Sequence, residues 1–149
     1  MVVVDGRRVA VLEVQPDRDL GAIHHADRRR WQIERPPAAS EWWVSDRDGN
    51  PIATILRAGW LGERFELHLD DLTVTVIPCG SWRRRWRVVD AEARDLLSVT
   101  QRPLRRPIHD LRRRSGDVPD TLPWLVAWCL ALATTSPPAA TRRPRWTSR

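Results

Sequence analysis

Alternating arginines are the residues of this sequence best suited to chemistry, in the form of anion binding. Arg83, Arg85 and Arg87 are spaced two residues apart in the segment WRRRWRV. On a β-strand such residues point to one side, because successive side chains alternate between two faces. A guanidinium group holds phosphate through paired hydrogen bonds, so this stripe predicts a surface for anionic lipid headgroups or phosphate. The alternative is a solvated outer face whose arginines pair with neighbouring acids.

A second set of candidate binding residues follows closely along the chain. It consists of Arg105, Arg106, Arg112, Arg113 and Arg114. Residues 101–114 carry six arginines against one acid, whereas residues 1–100 carry 15 arginines against 16 acids. We expect electrostatic attachment to an anionic membrane surface or a lipid-like ligand. Nucleic-acid association through residues 102–114 and the basic tail is the alternative, and the near-neutral remainder of the chain argues against it.

The sequence contains no pattern typical of a metal site or of a catalytic centre. The four histidines are scattered along the chain, and the sequence DRDGN at 46–50 reads as a turn rather than a calcium loop. There is no nucleophile elbow and no glycine-rich phosphate loop. The two cysteines, Cys79 and Cys129, form no CxxC pair and are expected to be reduced. We therefore expect no metal, no cofactor and no catalytic residue, and a binding module rather than an enzyme.

The elements that position these arginines are predicted to be short strands joined by tight turns. Residues 42–55 (WWVSDRDGNPIATI) align without gaps on residues 86–99 (WRVVDAEARDLLSV), and each copy predicts a strand, an acidic turn and a strand. The second copy lacks the Gly and Pro of the first, so its loop is expected to be looser. A further hairpin is predicted over 63–77, turning at Asp70–Asp71. Residues 101–119 are expected to form an irregular crossing with at most short strands.

The run from Leu122 to Ala133 (LPWLVAWCLALA) has no polar side chain and predicts a helix at about 121–135. A helix that is apolar on every side must be buried in protein or lipid. Its 14 residues span roughly 21 Å, and a bilayer core needs about 30 Å. Burial in protein is therefore predicted, with a short tail anchor as the alternative. The expected core residues are Trp124, Leu125, Trp128, Leu130 and Leu132.

Hairpins of the form W-x-V-x-D followed by one apolar C-terminal helix resemble the Tubby C-terminal-like superfamily, which includes the LURP-one-related proteins and the phospholipid scramblases. The resemblance covers roughly residues 8–135 and implies a closed barrel wrapped around a central hydrophobic helix. It also implies a lipid-like ligand. Nine or ten strands are countable rather than twelve, so an incomplete barrel is one outcome. No acidic calcium motif of scramblases is present.

These observations predict a mainly β protein, an antiparallel barrel around a buried C-terminal helix. Residues 1–136 are expected to form one domain, and residues 137–149 a disordered basic tail. The expected location is cytoplasmic, including the periphery of a membrane. The sequence identifies neither a protein partner nor an oligomeric state.

Overall fold

The computed structural model describes residues 2–15, 18–58, 64–79, 85–102 and 108–135, and within these ranges it contains eleven strands and one helix. The elements are β1 (Val2–Val4), β2 (Arg7–Gln15), β3 (Leu20–His25), β4 (Arg30–Glu34), β5 (Glu41–Ser45), β6 (Pro51–Ala58), β7 (Arg64–Leu69), β8 (Leu72–Cys79), β9 (Arg85–Asp90), β10 (Asp95–Arg102), β11 (Ile108–Arg113) and α1 (Leu122–Thr135). The predicted hairpin around Asp70–Asp71 is present as β7 and β8.

The strands close into a complete barrel. Consecutive strands pair antiparallel from β1 to β11, and β1 then pairs in parallel with β11, where Val2 lies opposite His109 and Val4 opposite Leu111. The predicted fold class is confirmed, and the barrel is not incomplete. The expected crossing over residues 101–119 contains the end of β10 and one short strand, β11. That strand was hard to see because its inward residues, His109 and Leu111, alternate with charged ones for only six residues.

The C-terminal helix lies inside the barrel. Leu125, Trp128 and Leu130 are fully buried and Leu132 is 1% exposed. The six consecutive residues 125–130 all have zero exposure, which places every side of the helix against protein. Trp124, in the first turn, is partly buried against the same core. The barrel thus encloses the segment that the sequence leaves open as a tail anchor. No helix in the described ranges is long and apolar enough to cross a membrane.

A glycine in β3 lets the helix approach the barrel wall. A Cβ atom at Gly21 would lie 2.5 Å from Nε1 of Trp128, closer than any side chain allows. The same Nε1 donates a hydrogen bond of 3.1 Å to the backbone oxygen of Glu13 on β2. The indole therefore fixes the position of the helix against β2 and β3, while its ring packs on Trp42 with centroids 5.1 Å apart.

The two repeated segments form hairpins with the same turn. Asp46 Oδ1 accepts hydrogen bonds from the backbone N–H groups of Asp48 and Asn50, and Asp90 Oδ1 accepts from those of Glu92 and Arg94. Gly49 and Ala93 occupy the same position with φ of 82° and 61°. The expectation of a looser second loop is wrong, because Ala93 adopts the left-handed conformation that Gly49 adopts more easily.

The end of the barrel at which the helix begins is called here the rim. β3, β5 and β9 run toward the rim, and their hairpin turns connect them to β4, β6 and β10. Trp124 in the first helical turn contacts His25, the last residue of β3, with ring centroids 3.9 Å apart. The turns at 26–29 and 46–50 therefore lie at the same end as the start of the helix.

Candidate functional site

Four of the five predicted binding arginines in the described ranges lie on the outer face of β9, β10 and β11, called here the β10 face. The strand register places Arg87 and Arg112 on either side of Ser98. Arg114 Nε donates a hydrogen bond of 3.1 Å to Ser98 Oγ. Arg85 lies further along β9, opposite Thr100. The sequence thus identified arginines that the fold brings together, although they come from two separate segments.

Acidic side chains are interleaved with these arginines. Arg87 Nε donates a hydrogen bond of 2.9 Å to Asp95 Oδ1, and this bond, with the charge of Asp95, raises the pKa of Arg87. Asp110 lies on the same face, opposite Thr100. A cavity of about 420 Å³ is lined by Arg87, Arg114 and Ser98, but also by Asp95 and Leu97. Positive charge on this face is therefore partly neutralised.

Arg113 leaves the β10 face and binds acids at the rim. Its Nη2 lies 2.9 Å from Asp120 Oδ1, and its Nε lies 3.6 Å from Asp5 Oδ2. Its backbone N–H also donates to Asp5 Oδ1 at 3.3 Å. Arg113 thus joins the β1–β2 turn to the segment before the helix, a structural use of this residue. Arg83, Arg105, Arg106 and the predicted tail lie outside the described residues.

A second cationic site lies at the rim, on the opposite side of the barrel. A cavity of about 460 Å³ opens between the β3–β4 turn and the β5–β6 turn. Its described lining consists of Arg28, Arg29, Arg30 and Arg47 together with His24, His25 and Gln32, and it includes no carboxylate. It is called here the rim cavity. Four strands separate β4 from β10 in one direction around the barrel and five in the other.

Three guanidinium groups of the rim cavity carry unpaired charge. Arg28, Arg30 and Arg47 form no ion pair within the described part of the chain, and all three are exposed. Arg29 differs, because its Nε lies 2.7 Å from Asp27 Oδ2. The guanidinium of Arg29 also lies over the ring of Trp124, 5.4 Å from its centroid. The concave arrangement concentrates positive potential within one cavity.

Backbone conformation contributes to this arrangement. Arg28 has φ of 71°, which is uncommon for a residue with a side chain. Its N–H donates to the backbone oxygen of His25, while the N–H of His25 donates to the oxygen of Arg29. The β5–β6 and β9–β10 turns have the same pair of backbone hydrogen bonds, with Gly49 and Ala93 at the position of Arg28. Placing an arginine at this position directs three consecutive basic side chains to the rim.

A buried histidine forms part of the cavity wall. His25 is 6% exposed, and among the described residues neither of its ring nitrogens has a hydrogen-bond partner. Its ring packs between Trp31 and Trp124, with centroids 4.6 Å and 3.9 Å away. Burial, and secondly the charge of Arg29, lower the pKa of His25. The neutral ring therefore keeps one N–H donor and one acceptor beside the arginines.

The neighbouring outer surface carries two acids, Glu13 and Glu34, and an exposed tryptophan. His24 Nε2 lies 3.3 Å from Glu13 Oε2, and this bond is the largest cause that lowers the pKa of Glu13. Trp43 is 51% exposed and lies opposite Glu34 on the outer face of β4 and β5. Glu34 is four residues from Arg30, about 13 Å along the strand. Trp43 and the rim cavity therefore share one side of the barrel.

The sequence reasoning missed the rim cavity, although a signal for it exists. The tetrapeptide RRRW occurs twice, at residues 28–31 and at 83–86. In both copies the Trp is buried, 5% exposed at Trp31 and 6% at Trp86. The first copy spans the β3–β4 turn, so the alternation that identifies one face of a strand does not apply to its arginines. Arg47 could be connected to it only through the fold.

Within the described ranges no group of three or more His, Cys, Asp or Glu residues could hold a metal ion. Cys129 on α1 is buried and Cys79 at the end of β8 is partly buried, and both are free thiols. Burial raises the pKa of Cys129, which keeps that thiol protonated. Comparison with known proteins finds no matching family model, no similar curated protein and no similar solved structure.

Proposed function

We propose that this protein is a non-enzymatic binding module that attaches to an anionic lipid surface through the rim cavity and the adjoining outer face of β4 and β5. The observation that carries the proposal is the convergence of Arg28, Arg30 and Arg47 on one cavity without an acidic partner among the described residues. Each arginine near an anionic bilayer contributes about 1 kcal/mol of attraction. The resemblance to Tubby-like barrels agrees with a lipid ligand and adds no residue assignment.

Trp43 supports a membrane rather than another anionic surface. An indole ring has an apolar body and a polar N–H, which suits the headgroup region of a bilayer. Trp43 is 51% exposed on the side of the barrel that carries the rim cavity. Val11 on β2 and Leu20 on β3, 59% and 41% exposed, lie on the neighbouring strands of the same side. Apolar and cationic groups are thus available together.

The β10 face is the less suitable surface, because Asp95 and Asp110 lie among its arginines. A flat bilayer can engage only one of two opposite sides of a barrel at a time. Nucleic-acid association through residues 102–114 has the same weakness, since Arg113 and Arg114 already have protein partners. The rim cavity is therefore the surface on which the proposal rests.

Vesicle flotation tests the proposal. The full chain is mixed with neutral vesicles or with vesicles containing phosphatidylglycerol, at low and high salt. We expect flotation only with the anionic vesicles, reduced by salt. Replacing Arg28, Arg30 and Arg47 by Gln should weaken the partition by about 3 kcal/mol, on the order of 100-fold. A matched triple replacement of Arg85, Arg112 and Arg114 removes the same charge from the β10 face.

The two triple variants separate the possible results. Loss of flotation in the rim variant and retention in the β10-face variant would support the proposal. The reverse result would assign binding to the arginines that the sequence predicted. Equal flotation of the unmodified chain on neutral and anionic vesicles would overturn the proposal, as would tighter binding to random duplex DNA than to anionic vesicles.

A further inference from the structure

The rim cavity has the features of a small-molecule site as well as those of a charged surface. Its volume of about 460 Å³ falls within the range of about 300–1,000 Å³ usual for ligand pockets. Electrostatic attraction to a bilayer requires only exposed positive charge. It requires neither a cavity nor a buried polar group, so these two features call for a more specific ligand.

His25 is the buried group in question. Buried hydrogen-bonding atoms without partners destabilise the folded state, so proteins normally satisfy them. His25 is 6% exposed, lines the cavity and has two such atoms among the described residues. Trp31 and Trp124 hold its ring in place and offer it no acceptor in their rings. A ligand in the cavity can supply the missing partner.

The charges of the lining define what that ligand carries. Four arginines surround the cavity, and Asp27 pairs with only Arg29. The site therefore favours a compact ligand with more than one negative charge and several acceptor oxygens. Guanidinium groups match phosphate oxygens by paired hydrogen bonds.

We propose that the rim cavity binds a phosphomonoester group, held by Arg28, Arg30 and Arg47 with His25 as a further hydrogen-bond partner. A phosphomonoester offers three terminal oxygens and carries about −1.5 to −2 charges at pH 7. A phosphodiester offers two such oxygens and one charge, and so engages fewer of the four groups. The lipid source of this group rests on the proposed function, whereas the site itself also accepts a soluble phosphomonoester.

Calorimetric titration with two small probes tests the site apart from any membrane. Methyl phosphate is the monoester probe and dimethyl phosphate is the diester probe, both at pH 7.5 and low salt. We expect the full chain to bind methyl phosphate at least 10-fold more tightly than dimethyl phosphate. Replacing Arg47 by Gln should weaken methyl phosphate binding by roughly 10-fold, because a hydrogen bond to a charged group is lost. His25→Gln should weaken it to a similar degree.

Matched controls guard against general effects of charge and folding. Arg85→Gln removes one positive charge from the β10 face and should leave methyl phosphate binding unchanged. Arg47 is exposed on a turn, so its variant is expected to fold even if His25→Gln does not. Equal affinity for the two esters would overturn the inference. Unchanged binding in Arg47→Gln would do the same.

Flotation then identifies the source of the group and keeps the two proposals distinguishable. Vesicles containing phosphatidic acid, a monoester headgroup, are compared with phosphatidylglycerol vesicles of equal surface charge. Preference for phosphatidic acid supports both proposals. Flotation on both vesicles alike, with no preference between the soluble esters, leaves the proposed function standing and overturns this inference. Binding of methyl phosphate without flotation on either vesicle overturns the proposed function and supports a soluble ligand.

Discussion

The β10 face and the rim cavity contain similar numbers of arginines on opposite sides of one barrel, yet they use them differently. On the β10 face Arg87 is bound to Asp95 and Arg114 to Ser98, while Arg85 and Arg112 form no ion pair in the described ranges. At the rim Arg28, Arg30 and Arg47 have no ion pair in the described ranges. Counting arginines along the sequence therefore does not identify a binding surface. The two surfaces differ in their acids: Asp95 lines the cavity of the β10 face, whereas the described lining of the rim cavity includes no carboxylate.

Histidines show the same contrast. His25 on β3 lines the rim cavity, and its two ring nitrogens are buried without a partner among the described residues. His109 on β11 is 2% exposed in the barrel interior, and its Nδ1 has no partner among the described residues. One buried histidine is accessible from a cavity and the other is part of the core. Four changes test this difference between the two sides.

The largest loss of stability is expected from a substitution in α1, the helix against which both sides of the barrel pack. Leu130→Asp would place an unpaired charge at a fully buried position and should unfold the barrel, a loss of at least about 4 kcal/mol. Urea denaturation followed by circular dichroism measures it. Leu130→Met, which keeps the volume, is the matched control. A stable Leu130→Asp protein would contradict the central position of the helix and the common framework of the two sides.

Acid should destabilise the protein through protonation of His109 on β11. Burial lowers the pKa of His109 from 6.5 to about 4. The unfolded chain takes up a proton near pH 6.5 and the folded chain only near pH 4, so the stabilisation is complete above pH 6.5 and is lost as the pH falls through this window. The loss amounts to about 3 kcal/mol. Burial lowers the pKa of His25 as well, which acts in the same direction.

Urea denaturation at pH 7 and at pH 4.5 measures this effect. His109→Gln should remove most of the difference, whereas the same change at the exposed His68 should leave it in place. Added methyl phosphate should reduce the contribution of His25 and leave that of His109 unaltered. A pH dependence that is the same in the chain with and without His109 would contradict this assignment.

A smaller effect is expected from converting the β10 face into a more cationic surface. Asp95→Asn removes the acid that binds Arg87 and leaves that guanidinium free. We expect partition onto anionic vesicles to increase by about 1 kcal/mol, roughly fivefold, through a new attachment by this side. The lost surface ion pair should cost stability no more than about 1 kcal/mol. Glu34→Gln is the matched variant for comparison, because it also removes one negative charge but lies on the side of the barrel that carries the rim cavity.

The smallest effect concerns the turns at which the two sides begin. Ala93→Gly and Arg28→Gly each relieve a left-handed conformation at φ of 61° and 71°, at the cost of a more flexible unfolded chain. We expect each to raise the free energy of unfolding by about 0.5 kcal/mol. Only Arg28→Gly should also weaken methyl phosphate binding. Gly49→Ala, where an added Cβ meets no atom within 4 Å, should lower stability by about 1 kcal/mol.

The fold was predictable to the extent that its signals are local. The alternation of Phe65, Leu67 and Leu69 with polar residues, and the wholly apolar run of α1, reveal a strand and a buried helix directly. The pair of strands that closes the barrel could not be predicted in this way. β1 consists of only three valines, and its parallel pairing with β11 has no local signature. Ala93 was misread since composition alone does not show which residue tolerates positive φ.

The candidate site was less predictable than the fold, for a related reason. Spacing identified Arg85 and Arg87, and the excess of arginine over residues 101–114 identified Arg112; the register then placed Arg87 and Arg112 around Ser98. Their acidic partners could not be assigned without that register. Arg28 and Arg47 lie in different turns and meet only in the folded barrel, where α1 also supplies Trp124 against His25. A site assembled from several turns leaves no compact motif in the sequence.

The parallel seam between β1 and β11 has a consequence for biosynthesis. It joins the two ends of the sheet across most of the chain, as does the bond from Arg113 N–H to Asp5, 108 residues earlier. During translation β1 and β10 therefore keep open edges until β11 emerges, and α1 is made after all eleven strands although it belongs at the centre. Such long-range closure slows folding and exposes unpaired strand edges to other chains. We therefore expect the nascent chain to depend on protection of these edges until the seam between β1 and β11 has closed.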